Sequence, residues 1–412
     1  MKKTVIALAA MITASSSALA ADVSLYGKVD LGVTYRNADT DSDKVEDFQL
    51  DSGKNSGSRW GLKGREDLGD GYAVVFQLEN GFSADTGASK ERLFHRETRL
   101  SLETPVATIS VGRMGGLTSG MGTFDVFQAQ GDALDGGWDY NFNVGNWFSR
   151  DRYDNMITVN TPNLNGFTLY AQYSFGTDSL NGKNDGVRNN RDTERYAALG
   201  VTYENGPLSA GLFLDTVLRQ YGQFRKADGT AIENDKFDDD DAKAVSFSLA
   251  YDFDVAKVFF GLQYGHNEKT NFWTTGTAGS NLNADFQRIA DGEDSEYELE
   301  GIPVGANLIK SGLDITQFTM DGYRVGLGAT MGLPCGTLSG GVYYGAMKND
   351  TQFDETLKAK NFNIAVGHTY PFSKRTYSYV GVAYKSVDMK LGGNKVAEED
   401  SFTTQIGLVH SF

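Results

Sequence analysis

The sequence predicts an all-β fold, a transmembrane antiparallel barrel of 16 strands, and three observations lead to that prediction. The chain has 49 glycines, 25 phenylalanines and 20 tyrosines against six prolines in 412 residues, which favours strands joined by glycine turns over helical bundles. Several segments alternate apolar and polar residues with a period of two. The links between these segments are short and long in turn, as they are in barrels that cross an outer membrane.

The alternation is clearest in residues 23–35, where odd positions are apolar, aromatic or glycine and most even positions are polar. The same split recurs in residues 167–175, 245–253, 258–264, 323–331 and 402–412. A soluble β-sandwich alternates in the same way, so this pattern alone leaves a sandwich and a barrel equally open.

The lengths of the connections separate these two folds. Short links lie at residues 68–71, around Pro105, and at 163–166, 205–207, 254–256, 333–336 and 371–374. Between them lie eight long polar segments, at residues 37–57, 84–91, 114–149, 176–192, 221–241, 268–317, 347–358 and 388–399. Short periplasmic turns and long external loops are typical of outer-membrane barrels. We therefore expect 16 strands, with both chain termini on the periplasmic side.

The first 20 residues have the features of a secretory signal peptide. Lys2 and Lys3 precede a short apolar stretch, and residues 18–20 fit the small-x-small cleavage pattern. We expect residues 21–412 to form a single barrel domain. Loss of the two lysines takes the formal charge from −16 to −18, which argues against binding to nucleic acid. After the signal no stretch reaches the roughly 18 apolar residues of a spanning helix.

The composition argues against a metal or redox centre. The chain has one cysteine, Cys335, and four scattered histidines, so no Cys/His ligand spacing is present. Two acidic runs, at residues 39–47 and 238–241, lack the glycine and distal glutamate of an EF-hand loop, and we interpret them as solvated surface. We expect no metal and no cofactor.

Several segments resemble the general porins of Gram-negative bacteria, specifically the trimeric 16-stranded branch of beta-proteobacteria. The opening segment 24–30 is similar to the family's first strand, and residues 58–71, which read SRWGLKGREDLGDG, closely resemble its second strand and first turn. Residues 94–113 and 152–167 resemble later strands, and Phe412 stands where a barrel's closing aromatic would. The resemblance runs from end to end, with the loops unmatched.

This resemblance implies a water-filled channel without bond chemistry, placed in the outer membrane as a homotrimer among lipid and lipopolysaccharide. Small hydrophilic solutes and ions would pass through it passively. In such porins the third loop, here residues 114–149, folds inward and narrows the lumen. Eight glycines let this loop lie close to a wall, and four aspartates would give it negative charge: Asp125, Asp132, Asp135 and Asp139.

The wall facing that loop should be basic. By resemblance Arg59 and Arg152 belong to the family's cluster of wall arginines. The alternation of faces along a strand, which we call its parity, agrees independently. The apolar residues Trp60 and Leu62 face outward, so Arg59 faces the lumen. The same argument places four further basic residues in the lumen: Lys28, Lys63, Arg99 and Arg324. A basic wall opposite an acidic loop produces a transverse field that orients polar solutes.

The chain departs from the family pattern at two places. Glu97 stands where the fourth strand often has a basic residue, with Arg99 two positions later. The segment 268–317 is long and carries an acidic run that has no counterpart in the family. Arg96 and Arg113 fall on the outward parity, so we expect them near a rim, a bulge or a subunit contact and assign them no pore role.

Two other functions remain open at the level of sequence. A substrate-specific channel would line its lumen with aromatic residues, and only Tyr26 and Tyr170 face inward in the predicted strands. A barrel enzyme would need an outward Ser/His pair near the membrane rim, whereas His95 faces inward and His368 and His410 have no partnered motif. Passive diffusion is therefore the function that the sequence favours.

Overall fold

The computed structural model of the chain describes residues 22–40, 44–89, 92–134, 138, 142, 147–148, 150–177, 194–218, 241–269, 319–349 and 356–412. The predicted signal peptide and most of the predicted segments 176–192, 221–241 and 268–317 lie outside these residues. The described part is almost entirely strand, with one short helix.

Seventeen strands build the barrel: β1 Asp22–Thr40, β2 Lys44–Ser52, β3 Arg59–Gly69, β4 Tyr72–Gly81, β5 Glu97–Glu103, β6 Thr108–Gly115, β7 Arg152–Asn160, β8 Phe167–Ser174, β9 Arg195–Asn205, β10 Leu208–Leu218, β11 Ala242–Asp252, β12 Lys257–Lys269, β13 Thr319–Leu333, β14 Gly336–Asn349, β15 Leu357–Pro371, β16 Thr376–Leu391 and β17 Asn394–Ser411. A helix of five residues, α1 Phe127–Gly131, lies between β6 and β7.

These strands occupy 16 positions in a closed antiparallel barrel, as the sequence predicts. β2 pairs with the second half of β1 and β3 with its first half, so the two form one interrupted barrel strand. The barrel closes where β1 pairs with β17, and Phe412 and Gly27 exchange two backbone hydrogen bonds of 3.0 Å just beyond that ladder. Closure leaves no open sheet edge, which a lipid environment does not tolerate.

All seven predicted short turns fall between paired strands and are confirmed. Two predicted long loops are wrong. Most of residues 37–57 continues β1 or forms β2, and residues 388–399 form the hairpin between β16 and β17, which turns at Gly392 and Gly393. Both hairpins are rich in charged and polar residues, and this composition led to the prediction of loops.

The two faces of the wall differ as the alternation requires. Apolar residues of the outward parity are exposed on the barrel's outer surface, among them Val342, Ile364, Val380 and Ile406. Polar residues of the other parity are turned inward. Within the described residues, no helix is long and apolar enough to cross a membrane.

Candidate functional site: a constriction inside the barrel

The described residues of the connection between β6 and β7, which spans residues 116–151 and which we call the inner loop, fold into the barrel. The helix α1 contacts β10, β11 and β12 from the inside. The apolar side chains of this inner loop are buried: Leu117, Phe124, Phe127, Leu134, Trp138, Phe142, Trp147 and Phe148. The loop thus has its own apolar core against the wall, and burying that core holds the loop within the lumen.

Glycines in the wall make room for the loop's tryptophans. Trp147 lies against Gly261 and Gly326, where a Cβ atom would come within 3.0 Å of its ring. Trp138, which stacks on Phe142 with ring centroids 5.0 Å apart, lies against Gly381 in the same way. Such contacts exclude any larger wall residue unless the loop moves, so the glycines set how far the loop projects into the lumen.

Asp132 fastens the loop to the wall. Its carboxylate accepts a hydrogen bond of 2.8 Å from Trp147 Nε1 and another from the Tyr343 hydroxyl on β14. The residue is only 3% exposed. The carboxylate therefore faces these two donors rather than the water of the lumen. The sequence instead predicts that Asp132 lines the pore as part of the acidic side.

A buried ion-pair network closes the end of the loop. Arg150 donates to Asp215 on β10 at 2.6 Å and makes two bonds of 2.6 Å to Glu268 on β12. Burial alone would lower the pKa of Arg150, and the two carboxylates raise that pKa well above its usual range. A β-bulge between Gly265 and Glu268 turns Glu268 inward so that it completes the network.

Arg324 serves the same anchoring purpose. It donates to the carbonyl oxygen of Trp147 at 2.5 Å, and its guanidinium lies over the Phe148 ring, 4.4 Å from the centroid. The Phe148 amide donates to Gln263 at 2.7 Å. Arg324 is on the inner face, as parity predicts, but it is fully buried under the loop. It does not line the water-filled path.

The opposite side of the lumen, formed by β1 and β3–β7, carries charged residues. Glu79 on β4 is shared by two arginines, Arg96 at 2.6 Å and Arg59 at 3.5 Å, and accepts a bond from the Tyr26 hydroxyl. Lys63 lies over the Tyr26 ring, 5.1 Å from its centroid. One carboxylate for two guanidinium groups leaves a surplus of positive charge here.

Further basic residues extend this charged wall. Arg152, at the start of β7, lies against the inner loop, with Nη1 3.0 Å from the sulfur of Met121. Lys28 donates to the Ser56 hydroxyl at 3.0 Å. Both side chains lie on the lumenal side, together with Arg59, in accordance with the parity argument.

The departure at Glu97 is compensated locally. Its carboxylate pairs with Arg99 at 2.9 Å and accepts a bond of 3.0 Å from Thr123 of the inner loop. Arg99 also lies over the Phe124 ring of that loop. This pair ties the charged wall to the tip of the loop, and Arg99 contributes less net charge to the lumen than Arg59 or Arg152.

A second segment also folds inward. Residues 53–58 interrupt the strand formed by β2 and β3, and the amides of Asn55 and Ser56 donate to Asp30 at 2.8 and 2.7 Å. The Tyr379 hydroxyl completes the bonds to the Asp30 carboxylate. Sequence reasoning placed these residues in a long external loop and missed this inward turn.

Strand parity puts Arg96 and Arg113 on the outward face, but both side chains turn inward; for Arg113 the reason is a bulge, one of the three positions expected from the sequence. Arg96 precedes β5, so the parity of that strand does not apply to it. In β6 a bulge between Gly112 and Met114 adds one residue, and Arg113 turns inward to pair with Asp154 at 2.7 Å. The lumenal wall therefore has more arginines than parity counting gives.

The structure describes two of the four predicted loop aspartates, Asp125 and Asp132. Asp125 is half-buried near the start of α1, and its carboxylate accepts a long bond from the Gln128 amide. Asp135 and Asp139 lie outside the described residues. Of the two described members of this set, Asp125 is the more exposed.

Comparison with known proteins gives a consistent result. The model of the Gram-negative porin family matches residues 7–390. An outer membrane porin protein of Bordetella pertussis is 30% identical over 432 aligned residues, covering 99% of this chain and 98% of that protein. Outer membrane porin protein 32 of Delftia acidovorans is 31% identical over 288 residues, covering 68% of this chain and 76% of that protein.

Solved structures agree on the fold. An anion-selective porin from Comamonas acidovorans superimposes with a TM-score of 0.62 at 22% identity, covering 95% of this chain and 100% of that one. OmpF of Salmonella typhi in complex with daunomycin gives a TM-score of 0.57 at 16% identity, covering 95% and 97%. At these identities the likeness concerns the barrel architecture.

Proposed function

The chain belongs to the Gram-negative porin family and forms a channel of the outer membrane, and we propose that its charged wall sets which solutes pass. The channel is open to small hydrophilic solutes and ions, which cross it by passive diffusion. The family and the fold are those of channels rather than enzymes, and we propose that the chain performs no bond chemistry.

The inner loop packs mainly against β10–β16, and the side formed by β1 and β3–β7 carries most of the basic residues of the lumen; this asymmetry supports the proposal. Lys28, Arg59, Arg96 and Arg152 lie on that side, and Glu79 pairs with Arg59 and Arg96. Charges lining a narrow waist act on each ion within the Debye length, which is about 8 Å at physiological salt. We therefore expect a preference for anions despite the net charge of −16.

The role of the loop aspartates follows from their positions. Asp125 is the described candidate for the acidic side of the field, whereas Asp132 acts as an anchor. Arg59 and Arg152 are the wall residues that we expect to dominate ion preference, with Lys28 and Lys63 assisting and Arg99 largely balanced by Glu97.

Swelling of proteoliposomes tests passive diffusion. Neutral, anionic and cationic solutes of equal size are compared, and the account predicts rates that rise linearly with concentration and are fastest for anions. A substrate-specific channel is the alternative, and it would instead give a rate that saturates for one solute. Equal or faster entry of cations would contradict the proposed role of the basic wall.

We further propose that three chains assemble into a trimer through the outer wall near the closing seam. Apolar side chains are strongly exposed there, with Leu25 63% and Phe48 77% exposed. Contact between three such walls would cover these side chains. Mass measurement in mild detergent decides this, and a strictly monomeric particle would refute it.

A further inference from the structure

Met121 is a methionine whose side chain meets water inside the barrel. Seven methionines lie in the described residues, and five of them are buried: Met114, Met156, Met320, Met347 and Met389. Met331 is 41% exposed, but it has the outward parity of Leu327 on β13. Met121 is half-buried and belongs to the inner loop, so its exposed part faces the lumen. Among the described residues, Met121 is therefore the methionine that a solute can reach from the pore.

The backbone at this part of the inner loop fixes where the Met121 side chain stands. Gly120 and Gly122 flank it with φ angles of 67° and 83°, in the left-handed region that favours glycine. The Ser119 hydroxyl donates to the Met121 carbonyl oxygen at 2.9 Å. The same oxygen leaves no room for a Cβ atom at Gly115 on β6. The backbone of Met121 thus packs directly on β6, and its side chain is held at a defined position.

The thioether sulfur of Met121 contacts the guanidinium of Arg152. Arg152 Nη1 lies 3.0 Å from the sulfur, and Arg152 Nε is buried without a hydrogen-bond partner among the described residues. A thioether is only a weak acceptor, so this guanidinium keeps hydrogen-bonding capacity that its surroundings do not use. A sulfoxide at the same position would place a strong acceptor oxygen beside it.

We propose that Met121 is a site of oxidation by hydrogen peroxide, and that its sulfoxide binds Arg152 and weakens the preference of the channel for anions. The sulfur attacks one peroxide oxygen, forms the S–O bond and breaks the O–O bond. The other oxygen leaves as hydroxide and takes the remaining proton from the first, so thioether and hydrogen peroxide give sulfoxide and water. The sulfur is oxidised and the peroxide is reduced.

The consequence for the pore follows from the position of the new oxygen. The negative end of the S–O dipole turns toward Arg152, which lowers the positive potential that a passing anion meets. The added atom also narrows the waist. The effect on ion preference rests on the proposed function, whereas the oxidation of Met121 does not.

Peptide mass spectrometry after brief treatment of the full chain in detergent with hydrogen peroxide tests where the oxygen is added. Met121 and Met331 should each gain about 16 Da early in the treatment. The five buried methionines react only after local opening of the fold, so they should be oxidised at least about tenfold more slowly. Oxidation of Met121 at the rate of the buried set would overturn the proposal.

Planar-bilayer recordings of the same preparation test the consequence for the pore. Peroxide should lower the single-channel conductance of the wild type and shift its reversal potential toward cations. The shift should be smaller than that of Arg152→Ala, because the dipole leaves the charge of Arg152 in place. Met121→Leu conserves volume but has no sulfur, and it should keep its own initial values through the treatment. Met331→Leu is the matched control and should respond to peroxide as the wild type does.

Met121→Gln places an amide oxygen near Arg152 and should show the shifted reversal potential without peroxide. An unchanged potential of the oxidised wild type, or an equal response of Met121→Leu to peroxide, would overturn the proposal. Absence of anion preference in the untreated wild type would count against the proposed function instead. In that case the peptide masses and the fall in conductance still decide whether Met121 is the oxidation site.

Discussion

The two sides of the lumen are built from different residues. On β12–β16 the inner face carries glycines, at Gly261, Gly326 and Gly381, against which the aromatic residues of the inner loop pack. On β1 and β3–β7 the inner face carries arginines and glutamates that remain turned to the lumen. The glycine wall holds a loop, and the charged wall faces the solute.

This difference implies that one set of residues determines where the constriction lies and another set determines which solutes it favours. Close packing and buried bonds fix where the loop stands, and neither requires charge at the waist. Solute choice then depends on residues that touch water, which can change without disturbing the packing. Variants of the two walls should therefore have different effects, and the following predictions test that separation.

The largest effect should come from the buried network that anchors the loop. Arg150→Met leaves Asp215 and Glu268 as buried carboxylates without their guanidinium partner, which costs about 3–5 kcal/mol. We expect equilibrium unfolding in detergent to show that loss of stability. Arg65→Met is the control, because its pair with Glu103 is exposed and contributes below about 1 kcal/mol. Equal stability of the two variants would show that the network does not anchor the loop.

Replacing Asp30 should cost somewhat less. Asp30→Ala removes the acceptor of two amide bonds from the inward segment 53–58, and bonds to a charged acceptor contribute about 1.5–3 kcal/mol. We expect a loss of about 2–3 kcal/mol in unfolding free energy. Asp67→Ala removes the acceptor of a bond of 2.8 Å from the exposed Gly69 amide and should change the unfolding free energy much less. An Asp30 variant as stable as the Asp67 variant would contradict the anchoring of segment 53–58.

A smaller change is expected on the glycine wall itself. Gly381→Val places a side chain where Trp138 and Phe142 now pack, and overpacking costs about 1–3 kcal/mol. The loop should be pushed into the lumen, so single-channel conductance should fall while ion preference stays the same. Gly332→Val serves as the control because no atom lies within 4 Å of its added Cβ. A changed ion preference in the Gly381 variant would break the separation of the two walls.

The sequence predicts the barrel well because period-two alternation and turn chemistry are local signals. Arg59 and Lys63 lie on the predicted face, since no bulge intervenes between them and their apolar neighbours. Arg113 does not, because the bulge after Gly112 shifts the parity by one residue. A glycine beside a charged residue does not by itself reveal such a bulge, because Gly64 follows Lys63 with the register unbroken.

The anchoring of the inner loop could not be predicted from the sequence. Arg150 is 65 residues from Asp215 and 118 from Glu268, and no local pattern relates positions that far apart. The hairpin that turns at Gly392 and Gly393 could have been predicted, because two adjacent glycines are typical of a two-residue hairpin turn. It was predicted as a loop because the strand residues around this turn are polar.

The charged wall is tested most directly by the reversal potential across a planar bilayer in a salt gradient. We expect the wild type to prefer anions, and Arg59→Ala with Arg152→Ala to shift the reversal potential toward cations without a measurable loss of stability, since lumenal substitutions tune selectivity. Arg65→Ala with Arg375→Ala removes the same charge from the short-turn end and should leave the potential near the wild-type value. If the Arg59 and Arg152 variant keeps the wild-type reversal potential, these arginines do not line the waist.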